Sequence, residues 1–213
     1  MNDKHGSTHK RWVPGRIPDP AQAHGAWVYL IVSILAGALS VGGRGFLPAL
    51  LSGIGFAGVF LAASSLALLR KPRFWRRLLT GVLLATLAPL LALEVGADPA
   101  FFVFGLVAVL PAALSGYFAE RQGFRSPAAL AFAVTALVVA APSSACAGGA
   151  SIQRGLLLLA LLAPFFAWRT FVLRKAMTGP GWTRARLRRR GLVESGYAVG
   201  WTALSVAVMH AIG

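Results

Sequence analysis

The chain is short of acid. Six aspartates and glutamates stand in 213 residues, against 21 lysines and arginines. Only 13% of residues are charged, where soluble domains carry about 25%. That is too little charge to cover a water-facing surface. Cysteine is nearly missing as well. Cys146 is the only one, which rules out an internal disulfide, and no Cys/His cluster has metal-ligand spacing. No metal and no cofactor are expected. An aspartate-rich site for a Mg²⁺–diphosphate is missing too, and no catalytic residue is assigned.

What the chain has instead is apolar length. Hydrophobic residues make up 57% of it and the mean hydropathy is +0.69. Seven apolar segments follow a polar start, at about 25–43, 46–69, 78–96, 100–119, 127–148, 154–173 and 192–212. A helix rises about 1.5 Å per residue, so about 20 residues cross a hydrocarbon core about 30 Å thick. Backbone groups in lipid need partners within their own segment, which makes each span a helix. The expected fold is an all-α polytopic membrane bundle of about seven transmembrane helices. Residues 1–22, with three prolines and little apolar content, read as a flexible cytoplasmic tail, and 23–213 as the bundle. The small residues of "LAGALS" resemble a signal cleavage site, but the apolar run is long enough to be a retained span.

The formal charge of +15 would suggest nucleic acid on a soluble protein. Here the basic residues sit in patches between apolar runs, so the expected partners are anionic lipid headgroups, not nucleic acid. With the N-terminus inside, nineteen of the 21 lysines and arginines fall on the inner side, and only Arg44 and Arg154 remain outside. The positive-inside rule then predicts an N-in, C-out topology. Trp27, Trp75, Trp168 and Tyr117 lie near inner span ends, as interfacial aromatics do. Trp201 lies mid-span and is expected to pack against other helices.

Candidate sites are few. Pro89, Pro111 and Pro164 interrupt spans, and "LATLAPLLA" and "LALLAPFFA" repeat one pattern in opposite directions, as in transporters of inverted halves. Proline is also common in membrane helices without such a role. "PSSACAGG" (142–149) offers Ser143, Ser144 and Cys146 as nucleophiles. No histidine lies near them in sequence, so the stretch reads as small-residue packing. Asp3, Asp19, Glu94, Asp98, Glu120 and Glu194 all lie in the tail or at span ends, leaving no proton relay at mid-membrane. The inner rim is better furnished. An arginine in the last turns of a span wants an anion, and His24, Glu120 and Arg169 are expected to line an inner-face pocket for an anionic, lipid-like ligand. Tyr117, Arg125 and Arg174 complete that ligand-binding set.

"PDPAQAHGAWVYLIVSILAGAL" (18–39) resembles the opening of the YwiC-like family of bacterial membrane proteins, through His24, Gly25, Ala26 and Trp27 with Pro20 upstream. "GYFAERQGFRSPAALAF" (116–132) and "FAWRTFVLRKAM" (166–177) look like that family's fourth-to-fifth-span junction and its sixth-span exit. The resemblance implies the membrane location and helical fold, without a reaction. The chain is also distantly similar to UbiA-type prenyltransferase bundles. Their aspartate-rich motifs have no counterpart in "LLRKPRFWRR" (68–77) or "LRKAMTGPGWTRARLRRR" (173–190). The expected role is therefore accessory or lipid-binding at the cytoplasmic face. The alternatives are a UbiA-like lipid-modifying enzyme without the usual metal site, or a small transporter.

Overall fold

The computed structural model describes residues 24–65, 73–123, 126–177 and 184–212. At positions 24–25, 173–174, 176–177 and 184–188 only the backbone is described. The tail read over 1–22 lies outside the described residues. The rest is helical, with no strand among the described residues. The helices are α1 (His24–Val41), α2 (Phe46–Ser65), α3 (Arg73–Glu94), α4 (Phe101–Gln122), α5 (Pro127–Val138), α6 (Ala140–Ala147), α7 (Ile152–Met177) and α8 (Arg184–Ile212). Six segments among them are long and apolar enough to cross a membrane, α5 and α6 counting as one, and Ala26–Val41 of α1 is a shorter apolar helix. With 18 residues α1 is about 27 Å long, so the bundle has six or seven helices that could cross a membrane. The protein is a multi-pass membrane helix bundle, as its composition predicts.

The helices differ from the sequence reading in two respects. The basic ends of α3, α7 and α8 overrun the apolar segments by one to two turns, because Arg and Lys are good helix formers and need not leave the helix when they leave the hydrocarbon. The fifth segment is not continuous: a turn at Val139 divides it into α5 and α6. Pro142 is the cause. Its ring nitrogen cannot donate to the Val138 carbonyl four residues back, and the ladder opens there. On either side the bonds continue, with Val139 N–H donating to the Thr135 carbonyl at 3.1 Å and Ser143 N–H to the Val139 carbonyl at 3.2 Å.

All eight residues of α6 are buried. None has a side chain larger than proline or cysteine, so α1, α2, α4 and α7 all reach it. Between helices in lipid the hydrophobic effect gives no drive, and close approach of small residues replaces it. A Cβ added at Gly37 of α1 would strike the Ala141 carbonyl and Ser144 of α6. Gly45 and Gly148 meet backbone to backbone, and Gly53 leaves room for Ile34 and the Ser144 hydroxyl. The α2–α3 hairpin uses the same device: Gly55 seats the Pro89 ring, Gly58 faces Ala85, and Gly81 faces Ala62. Apart from α2, α3 has little to lean on, and its other face is exposed at Leu83, Leu87 and Leu90.

One end of the bundle is closed by short turns. Gly96 (φ 90°) and Gly149 (φ 96°) take the left-handed conformation that lets α3 and α6 stop abruptly. Asp98 accepts from Ala100 N–H at 2.8 Å, and its own N–H donates to the Ala147 carbonyl at 3.2 Å, tying that turn to α6. His210 of α8 reaches the Leu39 carbonyl with Nε2 at 3.0 Å; since a carbonyl only accepts, Nε2 carries the proton. Arg154 donates to the Met209 carbonyl at 3.3 Å. The opposite end carries most of the basic residues, and towards it Trp75 and Trp168 are 65% and 62% exposed.

The glycine contacts predict a contrast. Gly37→Leu should destabilise the bundle by about 1–3 kcal/mol or more, since Ala141 backbone cannot yield. Gly116→Leu, where an added Cβ meets nothing within 4 Å, should leave the thermal midpoint in detergent unchanged. Equal midpoints for the two variants would refute the packing argument.

Candidate functional site

Near the basic end, α7 and α8 run antiparallel and bring together the charges buried within their spans. Arg169 donates from Nε to Glu194 Oε2 at 2.8 Å and from NH2 to Oε1 at 2.8 Å, a two-pronged pair that matches the guanidinium fork to a carboxylate. Glu194 is 7% exposed and Arg169 is 19% exposed. Arg190, one turn before Glu194, adds a second cation at 3.5 Å from Oε1. The guanidinium of Arg169 lies over the Tyr197 ring, 4.2 Å from its centre. Next to Arg169 in α7, Thr170 donates from its hydroxyl to the Tyr29 hydroxyl of α1 at 3.4 Å, and Tyr29 packs on Phe166 at 4.9 Å between ring centres. Lower in the same seam Trp201 stacks on Phe165 at 4.7 Å and donates from Nε1 to the Leu161 carbonyl at 2.9 Å. Pro164 has already loosened that turn of α7 by withholding a donor from Ala160.

The residues expected to share an inner-face pocket are not all brought together. Arg169 turns to Glu194, whereas Glu120 stands exposed on α4. Tyr117, also on α4, is 47% exposed and lies under the Arg121 guanidinium at 4.8 Å. His24 opens α1 and Arg174 belongs to α7, but neither side chain is among those described, and Arg125 lies outside the described residues. The residue that sequence reasoning missed is Glu194. The signal was present: "GLVESGY" holds a lone acid in α8 just as "FAWRTFV" holds a lone cation in α7, and a charge inside a span calls for a partner. Glu120 and Glu194 met that requirement equally well in the sequence, and only the α7–α8 register separates them.

A second feature lies away from the charges. A cavity of about 470 Å³ opens between the α2–α3 hairpin and α4–α5, where α3 and α4 diverge from their short connection. Its walls are apolar, with Ser52 and Ser143 as the polar residues. Those hydroxyls are already engaged: they lie 3.4 Å apart, and Ser143 donates to the Phe101 carbonyl at 3.2 Å. Pro89 lines this cavity, while Pro111 and Pro164 do not, so the three interrupting prolines do not converge on one path. Among the described residues no group of three His, Cys, Asp or Glu side chains could hold a metal ion. Cys146 is buried, its Sγ 3.7 Å from the Ser151 carbonyl.

The ion pair carries a prediction. Glu194→Gln should cost about 3 kcal/mol, because it strands a guanidinium inside the bundle. Arg169→Met should cost less, since Arg190 still faces the carboxylate. The double variant Arg169→Met, Glu194→Leu should recover most of the loss, measured by unfolding in mixed micelles. Additive losses would mean that the two residues do not act as a pair.

No family model, curated protein or solved structure matches this chain.

Proposed function

We propose that this is an accessory, lipid-binding protein of the bacterial cytoplasmic membrane, N-terminus inside, of the YwiC-like kind suggested by "HGAW" at 24–27. The observation that carries the reading is the charge balance at the α7–α8 seam. One carboxylate, Glu194, faces two guanidiniums, so the cluster keeps a surplus positive charge at a helix end. Arg190 holds that surplus with its side chain 38% exposed, and Arg189 beside it is exposed. A phosphate is the anion an arginine fork suits best, and the headgroup layer supplies it at this depth. The same end bears Arg73 and Arg76 on α3, Arg121 on α4 and Lys175 on α7 itself, so a bound headgroup sits at the basic end of the bundle. Arg169 contributes by position: it neutralises Glu194 and thereby leaves Arg190 available.

Two measurements test this. Orientation comes first: in a Cys146→Ala background, Arg184→Cys should react with an impermeant maleimide only in inside-out vesicles, and Val95→Cys only in intact cells. Reversed labelling overturns the orientation. The lipid reading comes second. Protein purified from nanodiscs should retain phosphatidylglycerol several-fold over phosphatidylcholine, with the preference weakening as salt is raised. Arg189→Gln with Arg190→Gln should abolish it. Retention indifferent to headgroup charge would sink the proposal.

A further inference from the structure

The apolar cavity runs from the short-turn end, at Phe101, past the middle of the bundle to Phe60 and Ala63 in the half of α2 nearer the basic rim. On α4 its wall runs from Phe101 to Ala113, a rise of about 18 Å. That is slightly more than one leaflet of a hydrocarbon core about 30 Å thick. The volume of about 470 Å³ is spread along this length. The space is therefore a slot. A helix about 10–12 Å across and of this length would fill about 1,400 Å³ or more, which exceeds the space between the walls. A polar ligand has nothing to bind, because the two hydroxyls within are satisfied by each other and by the Phe101 carbonyl. The mouth faces lipid: Val59, Phe102 and Val109 line the slot and are also 56%, 49% and 62% exposed.

We propose that this slot is a binding site for a single lipid alkyl chain, drawn from the leaflet at the short-turn end. The slot cannot stay empty in a bilayer at little cost, since walls without partner atoms forfeit their dispersion contacts. Water gains too few polar partners there to replace them. An alkyl chain restores those contacts and asks for no hydrogen bond. The walls enclose it with α2 behind, α3 and α4 at the sides and Leu137 of α5 at one end, so it is held more tightly than chains that merely coat the bundle. Gly105 sets the width: it lines the slot, and a Cβ there meets nothing within 4 Å. This site goes beyond the headgroup reading and does not need it, because it recognises a tail.

The test uses the full chain in vesicles of phosphatidylethanolamine and phosphatidylglycerol, doped with a phospholipid bearing a diazirine midway along one acyl chain. After illumination, label should concentrate on the facing segments of α2 (Gly55–Ala63) and α4 (Gly105–Ala113). Native mass spectrometry should show one lipid kept through purification. Gly105→Phe fills the slot without meeting backbone and should lower both signals about tenfold. Ala112→Phe, from the same wall, should do the same, which guards against one variant misfolding. Gly116→Phe, equally open but outside the slot, should change neither. Label spread evenly over the outer faces of α3 and α4, or unchanged by both slot-filling variants, overturns the proposal, as does a co-purifying protein in place of the lipid. Because the readout follows the tail, it stands or falls separately from the dependence on headgroup charge.

Discussion

The bundle depends on how closely helices can approach α6. In water a core forms because apolar side chains leave the solvent, but two helices already in lipid gain nothing that way. They gain from dispersion contacts, which fall off steeply with distance. The segment Ala140–Ala147 keeps that distance short on every side. Gly37 brings α1 against the Ala141 carbonyl, Gly53 brings α2 past Ser144, and Gly155 brings α7 against Cys146 and Phe104. A single larger side chain in α6 would push several helices away together. Pro142 belongs to the same arrangement. It breaks the helix at Val139, yet Val138, Val139 and all of α6 are buried, so the break occurs where neighbouring helices, not lipid, surround the opened turn.

That concentration on α6 explains the slot. α3 is held by α2 through Gly55, Gly58 and Gly81, and α4 by α5 and α6. Each hairpin partner satisfies its own helix, and little is left to draw α3 and α4 together beyond the turn at residues 95–100. The cavity is the space between two well-packed halves. Its apolar walls follow from the same composition that makes the spans, and its narrowness from the single short connection at one end.

Much of this was legible in the sequence. Seven apolar runs of adequate length mark out the six or seven helices that could cross, because lipid leaves the backbone no alternative to the helix. Trp201 was recognisable as a packing residue because an indole at mid-span needs an acceptor, and the Leu161 carbonyl provides it. The division of α5 from α6 was readable in principle from Pro142, but a proline near the end of an apolar run looks like a terminator as much as a break. The partner of Arg169 could not be chosen from sequence. Glu120 and Glu194 are both lone acids near the same end, and the choice depends on register between α7 and α8, which local pattern does not encode. The slot was invisible for a stronger reason. It is made by the absence of contact between α3 and α4, and no residue type signals a contact that does not form.

The two candidate sites differ in what they ask of a lipid. At the α7–α8 seam the argument is electrostatic: a buried carboxylate is tolerable because Arg169 meets it in two-pronged geometry, and the additional cation of Arg190 leaves the cluster with a surplus positive charge. At the slot the argument is steric, and charge plays no part. The buried ion pair lies towards the basic rim, whereas the cavity, lined largely by Ala, Gly, Phe and Pro, opens from the short-turn end, so the two proposed modes of engaging the bilayer are independent. Both follow from its scarcity of acid. With six acids in the chain, positive charge at one face goes largely unneutralised, and the interior offers a cavity ligand nothing but apolar surface.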